Sequence, residues 1–270
     1  MKNMVRRLLI LALLVAPGVR AAAAASLAQS VPEAADCRSS FSVSKLMKDR
    51  AGNDASVKLA ADDMRWKLLA YYKWRAFGAG DVAECAPMKS LIFLTDIHGP
   101  VGGDLLCRDL YHRLAFVRGY VERAPDLRRL CLENVVNEGD RPDAEQMRRY
   151  EKACDIIIRP DVPVEERCAQ AISYMPFPPE KRPKHVRRCV CDYGSMMGSE
   201  KCHEDPGNNP EGFLGPERYD SELAFRAAYA AKNVKLCGSL ELCRGLMGEA
   251  PAMAQAQAAK IADIVCAGRR

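Results

Sequence analysis

Several features are missing from this chain, and each absence narrows the chemistry open to it. After Ala16 no apolar run approaches the roughly 20 residues a membrane-spanning helix requires, so no integral membrane segment is expected once the N-terminal segment is gone. No Cys-x-x-Cys occurs, which removes the usual dithiol oxidoreductase motif, and no Cys-x-x-Cys-His, which removes covalent haem attachment. A Gly-x-Ser-x-Gly nucleophile elbow is absent, as is any glycine-rich loop of the P-loop or dinucleotide type. Histidine is confined to His98, His112, His185 and His203. Strand character is confined to the apolar run Leu91–Leu94, which also fits a buried helix.

What is there begins with an export pattern. Lys2, Arg6 and Arg7 precede an apolar run from Leu8 to Ala16, followed by Pro17-Gly18 and alanines from Ala21 to Ala25. That order reads as a secretory signal peptide over residues 1–25, cleaved after Ala25 or Ala28. The mature chain is then expected in the periplasm or outside the cell. Lys2, Arg6, Arg7 and Arg20 leave with the signal, so the formal charge of +5 falls to about +1. The basic balance is therefore mostly a targeting feature, and no nucleic-acid partner is expected. A protein or cell-envelope partner is the expected kind, with no cofactor.

All twelve cysteines lie beyond the signal: Cys37, Cys85, Cys107, Cys131, Cys154, Cys168, Cys189, Cys191, Cys202, Cys237, Cys243 and Cys266. An even number in an exported chain reads as a disulfide framework. Roughly 10⁴ pairings are possible, so the connectivity stays open.

Helical periodicity dominates the rest. Asp54 caps an expected helix to about Phe77, carrying Val57, Ala60, Ala61, Met64, Leu68, Tyr71 and Tyr72 at threes and fours. Asp104 opens a second, with Leu106, Leu110, Leu114, Val117 and Val121 on one stripe before Pro125. Shorter helices are expected at about 126–137, 143–157, 164–174, 221–233, 239–247 and 251–266. Residues 176–216 hold seven prolines and three cysteines with little apolar periodicity, and read as a loop-rich insert. The expectation is an all-α fold of packed antiparallel helix pairs stapled by disulfides, with that long Pro/Cys-rich loop. It forms one domain over 41–270, preceded by a flexible linker at 26–40.

One internal repeat is visible. Phe77-Gly-Ala-Gly-Asp81-Val-x-x-Cys85-x-x-Met88 aligns with Tyr229-Ala-Ala-Lys-Asn233-Val-x-x-Cys237-x-x-Leu240. Both read as a helix end, a turn, an Asp or Asn N-cap and a cysteine on the next first turn.

Three segments carry candidate chemistry. Leu91-Ile-Phe-Leu-Thr-Asp96-Ile-His98-Gly99 resembles the first motif of calcineurin-like metallophosphoesterases, and Gly139-Asp140-Arg-Pro-Asp143 resembles their Gly-Asp-x-x-Asp. The resemblance implies a two-metal site at Asp96, His98 and Asp140 that activates water against a phosphate ester. It departs from the family at Asn209, where a histidine belongs after Asn208, and in having no histidine after His203. Cys189, Cys191, Cys202 and His203 form a set suited to a soft metal, in competition with disulfides. The basic run Lys181-Arg-Pro-Lys-His-Val-Arg187-Arg188 would suit an anionic partner or a solvated loop face. The aromatic stretch Trp66, Tyr71, Tyr72, Trp74 and Phe77 has helical spacing that favours core with one exposed edge. No complete catalytic set is legible, so the expected function is a non-enzymatic binding or structural protein. The alternatives are a degenerate phosphoesterase and soft-metal handling.

Overall fold

The computed structural model describes residues 37–51, 62–95, 99–136, 141–197 and 216–267. They form ten α-helices: α1 (Val43–Ala51), α2 (Asp62–Ala79), α3 (Gly103–Glu122), α4 (Leu127–Val135), α5 (Ala144–Ile157), α6 (Val164–Tyr174), α7 (Arg182–Met197), α8 (Pro216–Ala231), α9 (Glu241–Arg244) and α10 (Ala250–Ala267). Short 3-10 segments cover Val82–Ser90, Pro179–Lys181 and Val234–Cys237, and a π-turn at Gly245–Glu249 joins α9 to α10. Among the described residues the one sheet is a hairpin of β1 (Ile92–Thr95) and β2 (Gly99–Gly102), paired antiparallel with Ile92 opposite Gly102 and Phe93 opposite Val101. The apolar run Leu91–Leu94 is thus mostly strand, shifted by one residue.

Each helix packs on its neighbour in sequence from α2 through α9, and α10 then lies along α2, so the helices run in a ring. The contact between α2 and α10 is the most extensive. On α2, Met64, Leu68, Tyr72 and Ala76 recur every fourth residue and are all buried. On α10, Ala250, Met253, Ala254, Ile261, Ala262 and Val265 supply the matching stripe. Two clusters of buried side chains result. One gathers α1, the start of α2, Cys85, Met88, Phe93 and the end of α10. The other joins Trp74, Phe116 and Val117 to helices α4 to α8 and the start of α10.

Among the described residues five disulfides tie this arrangement together. Three have sequence separations of 22, 23 and 21: Cys85–Cys107, Cys131–Cys154 and Cys168–Cys189. They staple the 3-10 segment at 82–90 to α3, α4 to α5, and α6 to α7. Cys237–Cys243 closes a loop of six, and Cys37–Cys266 joins the first described turn to α10. Loops of about 20 residues stabilise by roughly 3 kcal/mol each in the chain-entropy account. Helix pairs in an all-α fold, stapled by cystines that are buried in every case but Cys37–Cys266, are therefore the architecture of the described residues.

The internal repeat is structural. At its first copy the Asp81 N–H donates to the Ala76 carbonyl (3.1 Å) and the Gly80 N–H to Phe77 (3.3 Å). At its second the Asn233 N–H donates to Ala228 (2.9 Å) and the Lys232 N–H to Tyr229 (3.1 Å). Both are Schellman ends, with Gly80 at φ 66° and Lys232 at φ 51°. Asp81 then accepts from the Ala83 N–H (2.9 Å) and Asn233 from the Lys235 N–H (3.1 Å), opening the 3-10 segment that carries Cys85 or Cys237.

Three expectations need correction. Residues 37–40 are not linker, since Cys37 is bonded to Cys266 and Arg38 pairs with Asp263 at 2.9 Å. Residues 182–197, expected as loop, form α7, because Pro183 falls in a first turn where its missing N–H has no helical partner to lose. Val186 and Val190 then pack into the larger core cluster. Asp104 stands inside the first turn of α3, whose N-cap is Gly102. The expected Asp54 cap and residues 26–36 lie outside the described residues, as does 198–215 of the expected insert.

Candidate binding cleft

The cleft begins with the bend after α3. A Cβ on Gly119 would stand 2.4 Å from Leu130 Cδ1, so the bare glycine lets α4 fold back tightly on α3. The Ala124 N–H closes onto the Gly119 carbonyl at 2.8 Å. That closure puts Arg123 in the left-handed region (φ 55°, ψ 47°), where a non-glycine residue costs about 1 kcal/mol or more. Tyr120, Val121 and Arg123 form one wall, continued by Leu127 on α4.

Arg167 comes next. It falls on the apolar stripe of α6 with Val164, Cys168 and Ala171, and is 2% exposed. Its Nη1 donates to the Tyr120 hydroxyl (3.0 Å) and to the Ile157 carbonyl (2.9 Å). Ile157 is the last residue of α5, so the guanidinium satisfies a carbonyl that the helix leaves open and complements the negative end of its dipole. Beside it, Ile158 and Pro160 from the α5–α6 connection also line the cleft.

The remaining wall is one face of α8. Leu223, Arg226, Ala227 and Ala230 follow helical spacing, with Tyr229 beside them. The volume of this open cleft is about 940 Å³, and no Asp, Glu, His or Cys lines it. Glu222 is near in sequence, but it is 1% exposed and outside the lining. Arg118, Arg128 and Arg129, close by along α3 and α4, are paired with Glu122, Asp155 and Asp126. The side chains of Arg123 and Arg226 have no hydrogen-bond or ion-pair partner among the described residues.

The residues singled out from sequence fall elsewhere. Asp96, His98, Asp140, Cys202, His203, Asn208 and Asn209 lie outside the described residues. Asp143 caps α5: its carboxylate accepts the Glu145 and Gln146 N–H groups at 2.8 Å each, and Gln146 Oε1 accepts the Asp143 N–H at 2.9 Å. A carboxylate used in this way is a helix cap. The strand sandwich implied by the phosphoesterase resemblance is not this fold, whose described strands are a single hairpin. Cys189 is bonded to Cys168, so its sulfur is not a thiolate ligand, and Cys191 lies on α7. Among the described residues no three His, Cys, Asp or Glu side chains gather as a metal site.

The basic run occupies the 3-10 turn at 179–181 and the start of α7. There the Arg182 Nε donates to the Phe177 carbonyl (3.2 Å), and His185 stacks on Phe177 with ring centroids 3.7 Å apart. In the aromatic stretch Tyr72 and Trp74 are buried. Trp66 is 53% exposed and meets Phe93 edge-on at 5.2 Å. No helix of the described residues is long and apolar enough to cross a membrane.

Apart from Val121, read as part of a helical stripe, none of the cleft residues stood out in the sequence. Arg167 carried a readable signal, a cation in the apolar stripe of an amphipathic helix. Arg123 carried another, since it takes the position after a helical stripe where glycine is favoured. Known protein families, curated proteins and solved structures offer no match to this chain.

Proposed function

We propose that the chain is exported, loses residues 1–25, and works outside the reducing cytosol as a non-enzymatic binding protein whose receptor site is the cleft between α3, α6 and α8. Export is supported by the order of positive, apolar and small residues from Lys2 to Ala25. The five disulfides agree with it, since such bonds persist in oxidising compartments.

The observation that carries the binding reading is the cleft's lining. Arg167 is locked by Tyr120 and Ile157 in a lining that sets arginine and tyrosine side chains among aliphatic ones, a preformed concavity with a few placed donors. Guanidinium and phenol groups hold ligands through hydrogen bonds. Neither has an ordinary pKa near neutrality with which to shuttle protons.

Two measurements test this. N-terminal sequencing of the protein recovered from the periplasm or medium of an expressing cell should begin after Ala25 or Ala28; a chain retained in the cytosol with Met1 intact would end the export reading. Amide chemical-shift mapping of the oxidised protein against a chemically mixed fragment set should concentrate shifts at Tyr120, Arg167 and Tyr229. Shifts scattered over the surface, or centred elsewhere, would end the cleft reading.

A further inference from the structure

We infer that the cleft selects small amphipathic organic acids, a carboxylate joined to an apolar body, with Arg123 and Arg226 as the groups that hold the carboxylate. The inference rests on the cleft being the receptor site and adds what kind of molecule fills it. Charge is the first argument. Three guanidiniums line the cleft and no carboxylate does. The side chains of Arg123 and Arg226 are left without a hydrogen-bond or ion-pair partner among the described residues. A guanidinium offers a planar fork of donors that matches a carboxylate.

The second argument is the remainder of the lining. Val121, Leu127, Ile158, Pro160 and Leu223 surround those cations with aliphatic surface, which gains nothing from a bare inorganic anion and favours an apolar body. Size is the third. A volume of about 940 Å³ lies within the range of small-molecule sites, whereas a stable protein interface covers about 800 Å² per partner.

Placement of Arg123 is the fourth. A left-handed helix end favours glycine on backbone grounds, yet an arginine stands there and reaches the cleft. That makes Arg123→Gly an unusual probe, because it relieves backbone strain while removing the side chain. A loss of binding in a variant that melts no lower than the parent cannot come from misfolding.

The probe is 4-phenylbutyrate, titrated by calorimetry into the oxidised mature protein at low salt, beside its neutral amide, inorganic phosphate and a short peptide rich in glutamate. Saturable binding of the carboxylate is expected, with the amide and phosphate each weaker by roughly tenfold or more. Arg226→Gln and Arg123→Gly should each weaken 4-phenylbutyrate by about tenfold, with Arg123→Gly melting at or above the parent temperature. Equal affinity for acid and amide, parental affinity in both variants, or no saturation by the acid would each overturn the inference. So would phosphate or the peptide binding more tightly than the acid. If fragments of every charge map to the cleft, the receptor reading stands and this inference alone fails; if none map there, both fail.

Discussion

At the scale of single residues, burial and charge oppose each other most directly at Lys73. Its Nζ lies 4.3 Å from the centroid of the Trp74 ring, and burial lowers its ammonium pKa from the usual 10.5 to about 8 against the pull of Glu241. Between those two values the unfolded chain binds more protons than the folded one. The burden on stability is therefore complete below about pH 8 and fades as pH rises toward 10.5. Lys73→Met keeps the apolar stem and removes the charge. It should raise the melting temperature at pH 7, with the gain shrinking by pH 10; the same gain at both pH values would show that the charge is not what matters. The partial burial of Lys73 was not legible in composition. It sits on a helix whose neighbours across the packing interface come from distant segments, and that juxtaposition is absent from a local window.

Among the elements, helix ends offer the sharpest comparison, because the repeat supplies two copies of one geometry. Gly80 meets the left-handed demand without strain, whereas Lys232 meets it at φ 51° with a side chain attached. Lys232→Gly should stabilise the fold by about 1 kcal/mol, seen as a higher urea midpoint at unchanged slope. A lower midpoint would mean that the lysine stem contributes packing that outweighs its backbone conformation. The repeat was legible in sequence because Schellman ends and Asx caps are local devices. The same locality made the stripe of α3 legible, and the boundaries of α4, α5 and α6 within a residue or two, whereas the Asp143 cap of α5 was read as part of a phosphoesterase motif. It failed at α7, where Pro183 and a basic run imitate a loop. A proline in the first turn and one in a helix interior look alike in sequence, and cations near a helix start run against the dipole. The cleft was beyond reach for another reason: α3, α6 and α8 each contribute a few residues, and no segment holds enough of the pattern to show it.

At the scale of the whole molecule, closure dominates. Packing of α10 on α2 is covalently reinforced by Cys37–Cys266, whose sequence separation is 229, against 6 for Cys237–Cys243. Loop entropy assigns about 5 kcal/mol to the first bond and about 2 kcal/mol to the second. Replacing both cysteines of each pair by serine should therefore lower stability unequally, with the long-range pair producing the larger drop in urea denaturation. Equal drops would show that the packing of α10 on α2 already keeps the two chain ends together in the unfolded ensemble.

That same long-range bond makes the chain from Cys37 to Cys266 a covalent circle. A peptidase that cuts once anywhere along it linearises the circle and liberates nothing. Both cut ends stay joined through the cystine, so release of a fragment takes a second cleavage or a reductant. Survival among peptidases would then depend less on shielding every exposed peptide bond than on keeping one sulfur–sulfur bond intact.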